Sequence, residues 1–335
     1  MTPTADIRAE AERLRAGFEA RGAERFETAV LQPAGTLLDL YGEDIRARAF
    51  VTHDPLRGEM MLRPDFTVPL VQRHIAAGAG EARYTYAGDI FRRQEEDEAR
   101  PTEYAQVGYE VIGHPPDDDT AADAEVFMAL ADALKDAQVT ATIGSFALLT
   151  AAIDALDTPA RRKRALARHL WRPQRFDALL NRFSTPATKP AAATCDAPLI
   201  GLRTQEEIDT RLALLREEAE TPPLAKADVT RLRALMSLEA PAPEAVARLD
   251  DLGADTTGLA RFLAAIDHAD VTFDATFGLT SLEYYSGTVF GFADTGGTPV
   301  ATGGRYDLLT AAMGSPTPAV GGVIRPDRLL AARAP

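Results

Sequence analysis

Cysteine is almost absent from this sequence: Cys195 is the single one among 335 residues. One cysteine excludes an intramolecular disulfide framework and a zinc site built from cysteines. No ligand spacing links Cys195 with His169 in the same region. The cytoplasm is therefore the expected compartment, and we expect no metal.

Long apolar runs are also lacking. No run approaches the roughly 18 residues that a membrane span requires. The first residues, MTPTADIRAEAERLRAG, form a polar, helix-like segment without the apolar centre of a signal peptide. We expect neither a membrane-spanning segment nor a secretory leader.

Positive charge is in deficit. The chain carries 36 Lys and Arg against 50 Asp and Glu, a formal net charge of -14. Binding to a nucleic-acid backbone needs clustered basic side chains that neutralise phosphates. A broad nucleic-acid surface is excluded, and any such role would need a strongly polarised local patch.

A chain of 335 residues predicts either one large α/β or α+β domain or a domain with an inserted or appended partner. The patterns favour a single domain, residues 1–335, with a helical insertion at 157–266. Strand patterns stop at about 157 and resume near 271, and Pro-rich joints divide the stretch between them into short helices. The leucines expected to be buried in the insertion are Leu179, Leu180, Leu199, Leu212, Leu214 and Leu215.

One helix of the insertion, following Pro159, is unusually basic for an acidic protein. Its positive residues are Arg161, Arg162, Lys163, Arg164, Arg168 and Arg172. Two interpretations are open: a solvated helix face, or a contact for a partner protein or a phosphate.

The stretch from Tyr86 to Gly113 predicts two strands joined by a long charged turn. On the second strand, the period of two places Gln106, Gly108 and Glu110 on one face. An amide and a carboxylate then flank a position without a side chain, which would offer a small polar ligand a floor and two partners. The alternative is a solvated edge hairpin.

A second polar group stands at Arg63-Pro64-Asp65-Phe66-Thr67, between a strand pattern and a helical one. Pro64 favours an extended residue before it and cannot donate to a strand ladder. Asp65 and Thr67 can therefore face a cleft at the strand end, or they can simply cap the next helix.

Near the end of the chain, the run LEYYSGTVF supplies two tyrosines, Tyr284 and Tyr285, as an aromatic wall and a hydroxyl partner. The run GGRYD and the run Ala319–Ile324 follow as Gly-containing strands, the second leading into a last helix. Taken singly, these glycines are weak signals.

Together these motifs resemble the catalytic core of class II aminoacyl-tRNA synthetases, specifically of histidyl-tRNA synthetase. The hairpin resembles class motif 2, with Arg92 at the place of the arginine that grips the α-phosphate and the amino-acid carboxylate. Residues 319–330 resemble motif 3, with Arg328 at the ATP-contacting arginine. LEYYSGTVF resembles the histidine-specific element, and RPDFT resembles an RPEGT-like run. The implied fold is α+β, a mainly antiparallel sheet flanked by helices.

The resemblance implies a pocket for L-histidine as the ligand, with no other cofactor. The histidine-binding residues would be Asp65, Thr67, Arg92, Gln106, Glu110, Tyr284 and Tyr285. Arg100 and Arg328 would be vestigial nucleotide contacts.

Three departures from the synthetase pattern change the expected function. Thr280 replaces an arginine that stabilises charge during adenylate formation, Gln94 replaces a glutamate, and no anticodon-binding domain follows before Pro335. This combination is similar to the regulatory subunits of ATP phosphoribosyltransferase. It implies a subunit without catalytic residues that dimerises through the class II core, binds the short catalytic subunit, conveys inhibition by histidine and binds no tRNA.

Two other functions are compatible with the motifs. Retained Arg92 and Arg328 favour a truncated synthetase-like ligase that activates an amino acid with ATP, whereas Thr280 and Gln94 oppose it. A pure assembly scaffold with a vestigial pocket would bind no histidine at all.

Overall fold

The computed structural model describes most of the chain. The described residues are 3–35, 38, 48–94, 101–115, 117, 119–187, 204–266, 268, 270–279 and 285–333. The sequence predictions for Arg100, Leu199, Thr280 and Tyr284 lie outside these residues.

The described residues form the following helices, in chain order. They are α1 Thr4–Ala20, α2 Thr67–Ala76, α3 Asp119–Leu134, α4 Phe146–Asp154, α5 Ala160–Arg168, α6 Pro173–Phe183, α7 Gln205–Glu220, α8 Lys226–Met236, α9 Ala242–Asp251, α10 Thr257–Ala265, α11 Asp307–Ala312 and α12 Pro326–Arg333. None of these helices is long and apolar enough to cross a bilayer.

The strands form two sheets within the described ranges. They are β1 Glu24–Arg25, β2 Leu31–Pro33, β3 Val51–Asp54, β4 Gly58–Leu62, β5 Ala82–Phe91, β6 Glu103–Ile112, β7 Val139–Ser145, β8 Glu239–Pro241, β9 Val271–Asp274, β10 Thr288–Asp294, β11 Pro299–Arg305 and β12 Ala319–Ile324. The larger sheet has the order β1-β5-β6-β12-β11-β10-β7-β9-β8, and the smaller has β2-β4-β3.

The larger sheet is mainly antiparallel, as predicted. Two of its pairings, β1 with β5 and β7 with β9, are parallel. The predicted central hairpin is confirmed as β5 and β6, with Tyr86 opposite Gly108 and Gly88 opposite Gln106. On the other side of β6, Glu110 lies opposite Gly321 of β12. Strands β5, β6 and β12 thus bring Gln106, Glu110 and the glycines opposite them into one area of the sheet.

Two apolar cores lie on opposite sides of this sheet. Helix α3 buries Phe127 and Leu130 in the larger core, where the Phe127 ring packs 5.6 Å from Phe290 and 5.0 Å from Phe292. The smaller core includes Phe66 and Tyr86 and lies between the hairpin and α2. The candidate polar residues belong to the side of the smaller core.

Helices α5–α10 occupy the stretch where an insertion is predicted, but strand β8 also lies there, so the prediction that strands are absent is wrong. Residues 239–241 pair antiparallel with β9 as a short edge strand, too short to give a visible alternation. Among the predicted buried leucines, Leu180 is buried and Leu179 is partly buried. The prediction is wrong for the α7 leucines, which are exposed: Leu212, Leu214 and Leu215.

A buried arginine joins the basic helix α5 to helix α7 and to the residues that follow it. Arg162 is buried, and its Nε donates a 2.9 Å hydrogen bond to Glu218 of α7 while its Nη1 donates to the Pro222 carbonyl at 2.8 Å. The interpretation of this helix as a solvated face is therefore wrong for Arg162. Arg164 and Arg168, on the outer side, are exposed.

Candidate functional site

The space above Gly108 is filled by the tyrosine of the neighbouring strand. A Cβ at Gly108 would overlap the ring of Tyr86, which lies opposite it in the register of the hairpin. Gly108 is therefore needed because a close neighbour occupies its side-chain position. The expectation of an open floor at Gly108 is wrong, because the hairpin closes that gap with its own side chain.

Glu110 is the centre of the site and is 2% exposed. Its Oε1 accepts hydrogen bonds from the hydroxyl of Tyr86 at 2.9 Å and of Thr67 at 3.3 Å, and its Oε2 accepts one from the hydroxyl of Tyr306 at 2.7 Å. These donors come from β5, from the start of α2 and from the residue after β11. A buried carboxylate needs such partners, because burial without them is costly.

The strand beside Glu110 is shaped to admit its carboxylate. A Cβ at Gly321 would overlap Oε2 of Glu110, so β12 must carry glycine there. Burial raises the pKa of Glu110 to about 7, although the three hydroxyl donors favour the charged form. The nearby charge of Asp65 raises this pKa further. Glu110 is therefore divided between its two protonation states near neutral pH.

Asp65 and Thr67 lie where β4 gives way to α2, and both are buried. Oδ1 of Asp65 accepts a 3.2 Å hydrogen bond from the backbone N–H of Val68, so Asp65 does serve the first turn of the helix. Burial raises the pKa of Asp65, and the positive charge of Arg92 opposes that rise. Thr67 contributes its hydroxyl to Glu110, which joins the two polar groups predicted separately from the sequence.

Phe66 fixes the position of Tyr86. The two rings stack with centroids 4.4 Å apart, and the guanidinium of Arg63 covers the Phe66 ring at 4.2 Å. Arg63 in turn donates to the carbonyls of Asp89 and Thr28 at 2.8 and 2.7 Å. A cation over an aromatic ring and an aromatic pair are each favourable contacts. This stack holds the tyrosine hydroxyl toward Glu110.

Arg92 follows β5 and approaches the same area. Its Nε donates a 2.8 Å hydrogen bond to the carbonyl of Pro64. Burial raises the pKa of Asp65 and of Tyr285, and the charge of Arg92 opposes both rises. Gln94, two residues on, donates through Nε2 to the Pro101 carbonyl at 3.2 Å. The guanidinium thus lies close enough to act on Asp65 and Tyr285, whereas Gln94 closes the base of the charged turn.

Gln106 and Tyr285 complete the described part of the site. Gln106 lies on the Glu110 face of β6 and is 6% exposed. Within the part of the chain that the structure describes, no hydrogen bond engages its side-chain amide. Burial raises the pKa of Tyr285, and the charge of Glu110 raises it further. The structure therefore brings together Asp65, Thr67, Arg92, Gln106, Glu110 and Tyr285.

The arginines near motif 3 have protein partners. Arg328 donates to the carbonyl of Pro299 at 2.6 Å, which ties α12 to β11. Arg325, which the sequence did not single out, lies 3.6 Å above the ring of Tyr104 and forms two hydrogen bonds with Asp327, at 2.9 and 2.7 Å. One face of Tyr104, at the start of β6, is covered by this guanidinium.

Arg305 of the GGRYD run has a structural role that the sequence did not reveal. It is buried, and its guanidinium donates to Asp123 at 2.7 Å and to the Asp119 side chain at 3.0 Å. Its Nη2 also donates to the backbone carbonyl of Asp119 at 2.6 Å. Burial raises the pKa of Asp123 to about 6, and the charge of Arg305 opposes the shift. This network fastens α3 to the end of β11.

Two residues that matter most to Glu110, namely Tyr86 and Tyr306, were not among the predicted site residues. Tyr86 could have been found from the register of the hairpin, because a two-residue period and an aromatic opposite a glycine suggest a ring crossing that glycine. Tyr306 lies 196 residues from Glu110, and no local pattern indicates that contact.

Comparison with known proteins gives consistent results. The family model described as histidyl-tRNA synthetase matches residues 3–329. The chain is 34% identical to an ATP phosphoribosyltransferase regulatory subunit from Allorhizobium ampelinum, over 95% of both chains. It is 32% identical to the protein of the same name from Agrobacterium fabrum, over 94% of both chains.

Solved structures share the fold. A protein from Bacillus halodurans described as an ATP phosphoribosyltransferase regulatory subunit/histidyl-tRNA synthetase superposes with a TM-score of 0.72 at 21% identity, over 99% of this chain and 80% of that one. A histidine–tRNA ligase subunit from Alicyclobacillus acidocaldarius gives a TM-score of 0.62 at 25% identity, over 99% and 94%.

Proposed function

This chain belongs to the histidyl-tRNA synthetase-like family and, within it, to the group of ATP phosphoribosyltransferase regulatory subunits, and we propose that it regulates the first step of histidine biosynthesis. It binds the short catalytic subunit of that enzyme, raises its activity and conveys inhibition by L-histidine. It carries no catalytic residues of its own.

The chemistry of the site supports histidine as the ligand. The amino acid offers an ammonium group and an imidazole N–H as donors, and Asp65 and Glu110 supply carboxylates for them. Its carboxylate is matched by the guanidinium of Arg92, whose charge acts on Asp65. Tyr285 and Tyr284 add the aromatic side of the pocket, as the resemblance implies.

The observation that carries this proposal is the side-chain amide of Gln106. It is 6% exposed, it lies on the same strand face as Glu110, and within the described residues it has no hydrogen-bond partner. The amide is not sealed from solvent, so a small polar molecule can reach it. A small polar ligand beside Glu110 supplies that partner.

Regulation follows from linkage. If histidine prefers one arrangement of the complex, a coupling free energy of about 1–3 kcal/mol changes turnover at a distant site. The same coupling requires that the catalytic subunit alters the affinity for histidine. The pocket and the catalytic centre then need no shared residues.

The test is the phosphoribosyltransferase activity of the short catalytic subunit, with and without this chain, across a histidine titration. We expect activation without histidine and inhibition with it. The Glu110→Gln variant should shift the inhibition curve to higher histidine, whereas Glu103→Gln, an exposed position on the same strand, should leave it in place. If this chain does not alter the activity, the regulatory function is wrong.

The alternatives give different outcomes. A ligase would catalyse exchange between ATP and pyrophosphate in the presence of histidine, and the proposal expects none. The neutral side chain of Gln94, where the synthetase has a glutamate, is unfavourable for nucleotide activation. A scaffold would still activate the catalytic subunit, but calorimetry would detect no histidine binding and Glu110→Gln would change nothing.

We also propose a homodimer through the class II core. The small sheet presents exposed apolar residues on its two outer strands, Leu31 and Val51, and at the hairpin tip, Leu56. Leu31 lies opposite Leu62 and Val51 opposite Met61, so these two side chains are on opposite faces of the sheet. Val51 and Leu56 are the exposed apolar side chains offered for the contact, and the dimer itself is what the resemblance to class II cores implies. Val51→Asp should lower the mass of the assembly in solution, whereas Leu308→Asp, an exposed leucine of α11, should not.

Two further expectations belong to the proposal. The net charge of -14 is unfavourable for tRNA, because phosphate contacts require clustered basic residues. The single cysteine suits the reducing cytoplasm. We therefore propose a cytoplasmic protein whose partners are proteins and histidine.

A further inference from the structure

The two apolar cores of the described residues include no side chain of helix α7. Its one buried residue is Glu218, in the last turn, which is held by Arg161 and Arg162 of α5. Its first turn is closed by its own residues, since the Thr204 hydroxyl accepts from the Glu207 N–H at 3.3 Å and the Glu207 carboxylate accepts from the Thr204 N–H at 2.7 Å. This capping box satisfies two backbone N–H groups that would otherwise be unpaired at the start of the helix.

This helix carries an apolar stripe with the spacing of a coiled coil. Its members follow one another at intervals of four, three and four residues: Ile208, Leu212, Leu215 and Ala219. Such spacing places all four on one narrow side of a helix, which we call the seam. Leu215 is 39% exposed, and Leu212 is also exposed. Ile208 and Ala219, at the two ends, are half-buried. The middle of this side is thus presented to solvent and has the spacing for packing against another helix.

The charged residues beside the seam fit a second copy of the same helix in the antiparallel orientation. In that arrangement, the residue that follows Ile208 on one helix faces the residue that follows Leu215 on the other. Those residues are Asp209 and Arg216, so each pair would join a carboxylate to a guanidinium, twice across the two-fold axis. Glu206, Glu207 and Glu217 lie away from the seam.

The parallel orientation is unfavourable for the same residues. There, Arg211 would face Arg216 of the other copy, and like charges beside a seam repel. In the antiparallel pair, Leu212 of one helix packs against Leu215 of the other, so the apolar residues stay in register. The charges and the apolar spacing therefore favour a second copy of α7 in the antiparallel orientation.

We propose that α7 pairs with α7 of a second copy of this chain, antiparallel, through the seam. A pair of 16-residue helices is smaller than a typical stable interface, which buries roughly 1,200–2,000 Å². The contact therefore adds to another association, such as a dimer made elsewhere, through the increased effective concentration of the linked copies. It does not involve the histidine site.

The experiment measures self-association of the full chain by analytical ultracentrifugation over a wide range of concentrations. A charge at Leu215 would be buried in the seam, so Leu215→Asp should raise the dissociation constant of one association step about tenfold or more. Leu214→Asp is the matched control, because Leu214 is 38% exposed but lies off the seam. Circular dichroism establishes that both variants are folded.

A charge exchange tests the orientation. Asp209→Arg and Arg216→Asp should each weaken the association, because each places like charges together, and the double variant should restore it. Restoration occurs only if residue 209 of one copy faces residue 216 of the other. The proposal is overturned if Leu215→Asp leaves self-association unchanged, if the double variant stays weak, or if Leu215→Asp instead weakens binding of the catalytic subunit alone.

Discussion

The Tyr86 hydroxyl donates a 2.9 Å hydrogen bond to Oε1 of Glu110, across two paired strands of one hairpin. The ring of Tyr86 reaches that carboxylate by crossing Gly108, where a Cβ would overlap it. The hydrogen bond to the Glu110 carboxylate therefore depends on the position of Tyr86. The Tyr86 ring can take that position only because residue 108 is a glycine.

Substitution of Gly108 by alanine should disturb this arrangement. The added Cβ forces the Tyr86 ring to move, and overpacking of this kind costs about 1–3 kcal/mol of the free energy of unfolding. Urea denaturation measures the loss. Gly17→Ala is the control with the opposite sign, because nothing lies within 4 Å of a Cβ there and alanine favours a helix over glycine by about 1 kcal/mol.

A double variant identifies the cause of that loss. If the clash with the ring is responsible, Gly108→Ala combined with Tyr86→Ala should cost less than the sum of the two single changes. Strict additivity would mean that Gly108 is needed for its backbone and not for the crossing ring.

The pKa of Glu110, raised to about 7, predicts a pH dependence of stability. An unfolded glutamate ionises near pH 4.3, so between about pH 4.5 and 7 the folded state keeps a proton that the unfolded state has lost. The free energy of unfolding of the native protein should therefore fall with rising pH across this window, by about 1 kcal/mol per pH unit, relative to Glu110→Gln. Urea titrations at several pH values measure the difference, and a constant difference would contradict the prediction.

Gln106→Leu should separate binding from stability. The change keeps the approximate size of the side chain and removes the amide, so histidine affinity should fall about 5- to 100-fold, the effect of losing a hydrogen bond at a buried site. The free energy of unfolding should hold or increase, because no hydrogen bond within the described residues is lost. Calorimetry and urea denaturation give the two values, and unchanged affinity would place Gln106 outside the pocket.

Arg305→Met should be among the most destabilising changes in the chain. It leaves the buried carboxylate of Asp123 without its 2.7 Å partner, a situation that costs about 3–5 kcal/mol. Thermal or urea unfolding measures the loss. Arg57→Met, which removes an exposed ion pair with Asp54, should cost at most about 1 kcal/mol.

Removing both charges provides the check on that explanation. Arg305→Met with Asp123→Leu should recover much of the stability, since the unpaired buried carboxylate is gone. If the double variant is no more stable than Arg305→Met, then the packing of α3 against β11, and not the unpaired charge, accounts for the loss.

Local patterns were sufficient for the longer strands and for part of the polar group around Glu110. The hairpin, β7 and β12 carry clear periodicity, and Asp65, Thr67, Gln106 and Glu110 were selected because of their place at strand ends and on one strand face. The patterns failed on α7, where leucines at helical spacing were expected to be buried. Periodicity identifies an apolar side of a helix but does not say whether anything covers it.

The sequence by itself determined which polar residues share a strand face, because this depends on short-range spacing, and its motifs carry the resemblance that implied the family and the fold class. Only the tertiary structure decided what those residues contact. The partners of Glu110 lie 24, 43 and 196 residues away in the chain, and the raised pKa of that carboxyl comes from its burial among them. Solvent exclusion and hydrogen bonding between distant segments are properties of the packed molecule, so no local pattern contains them.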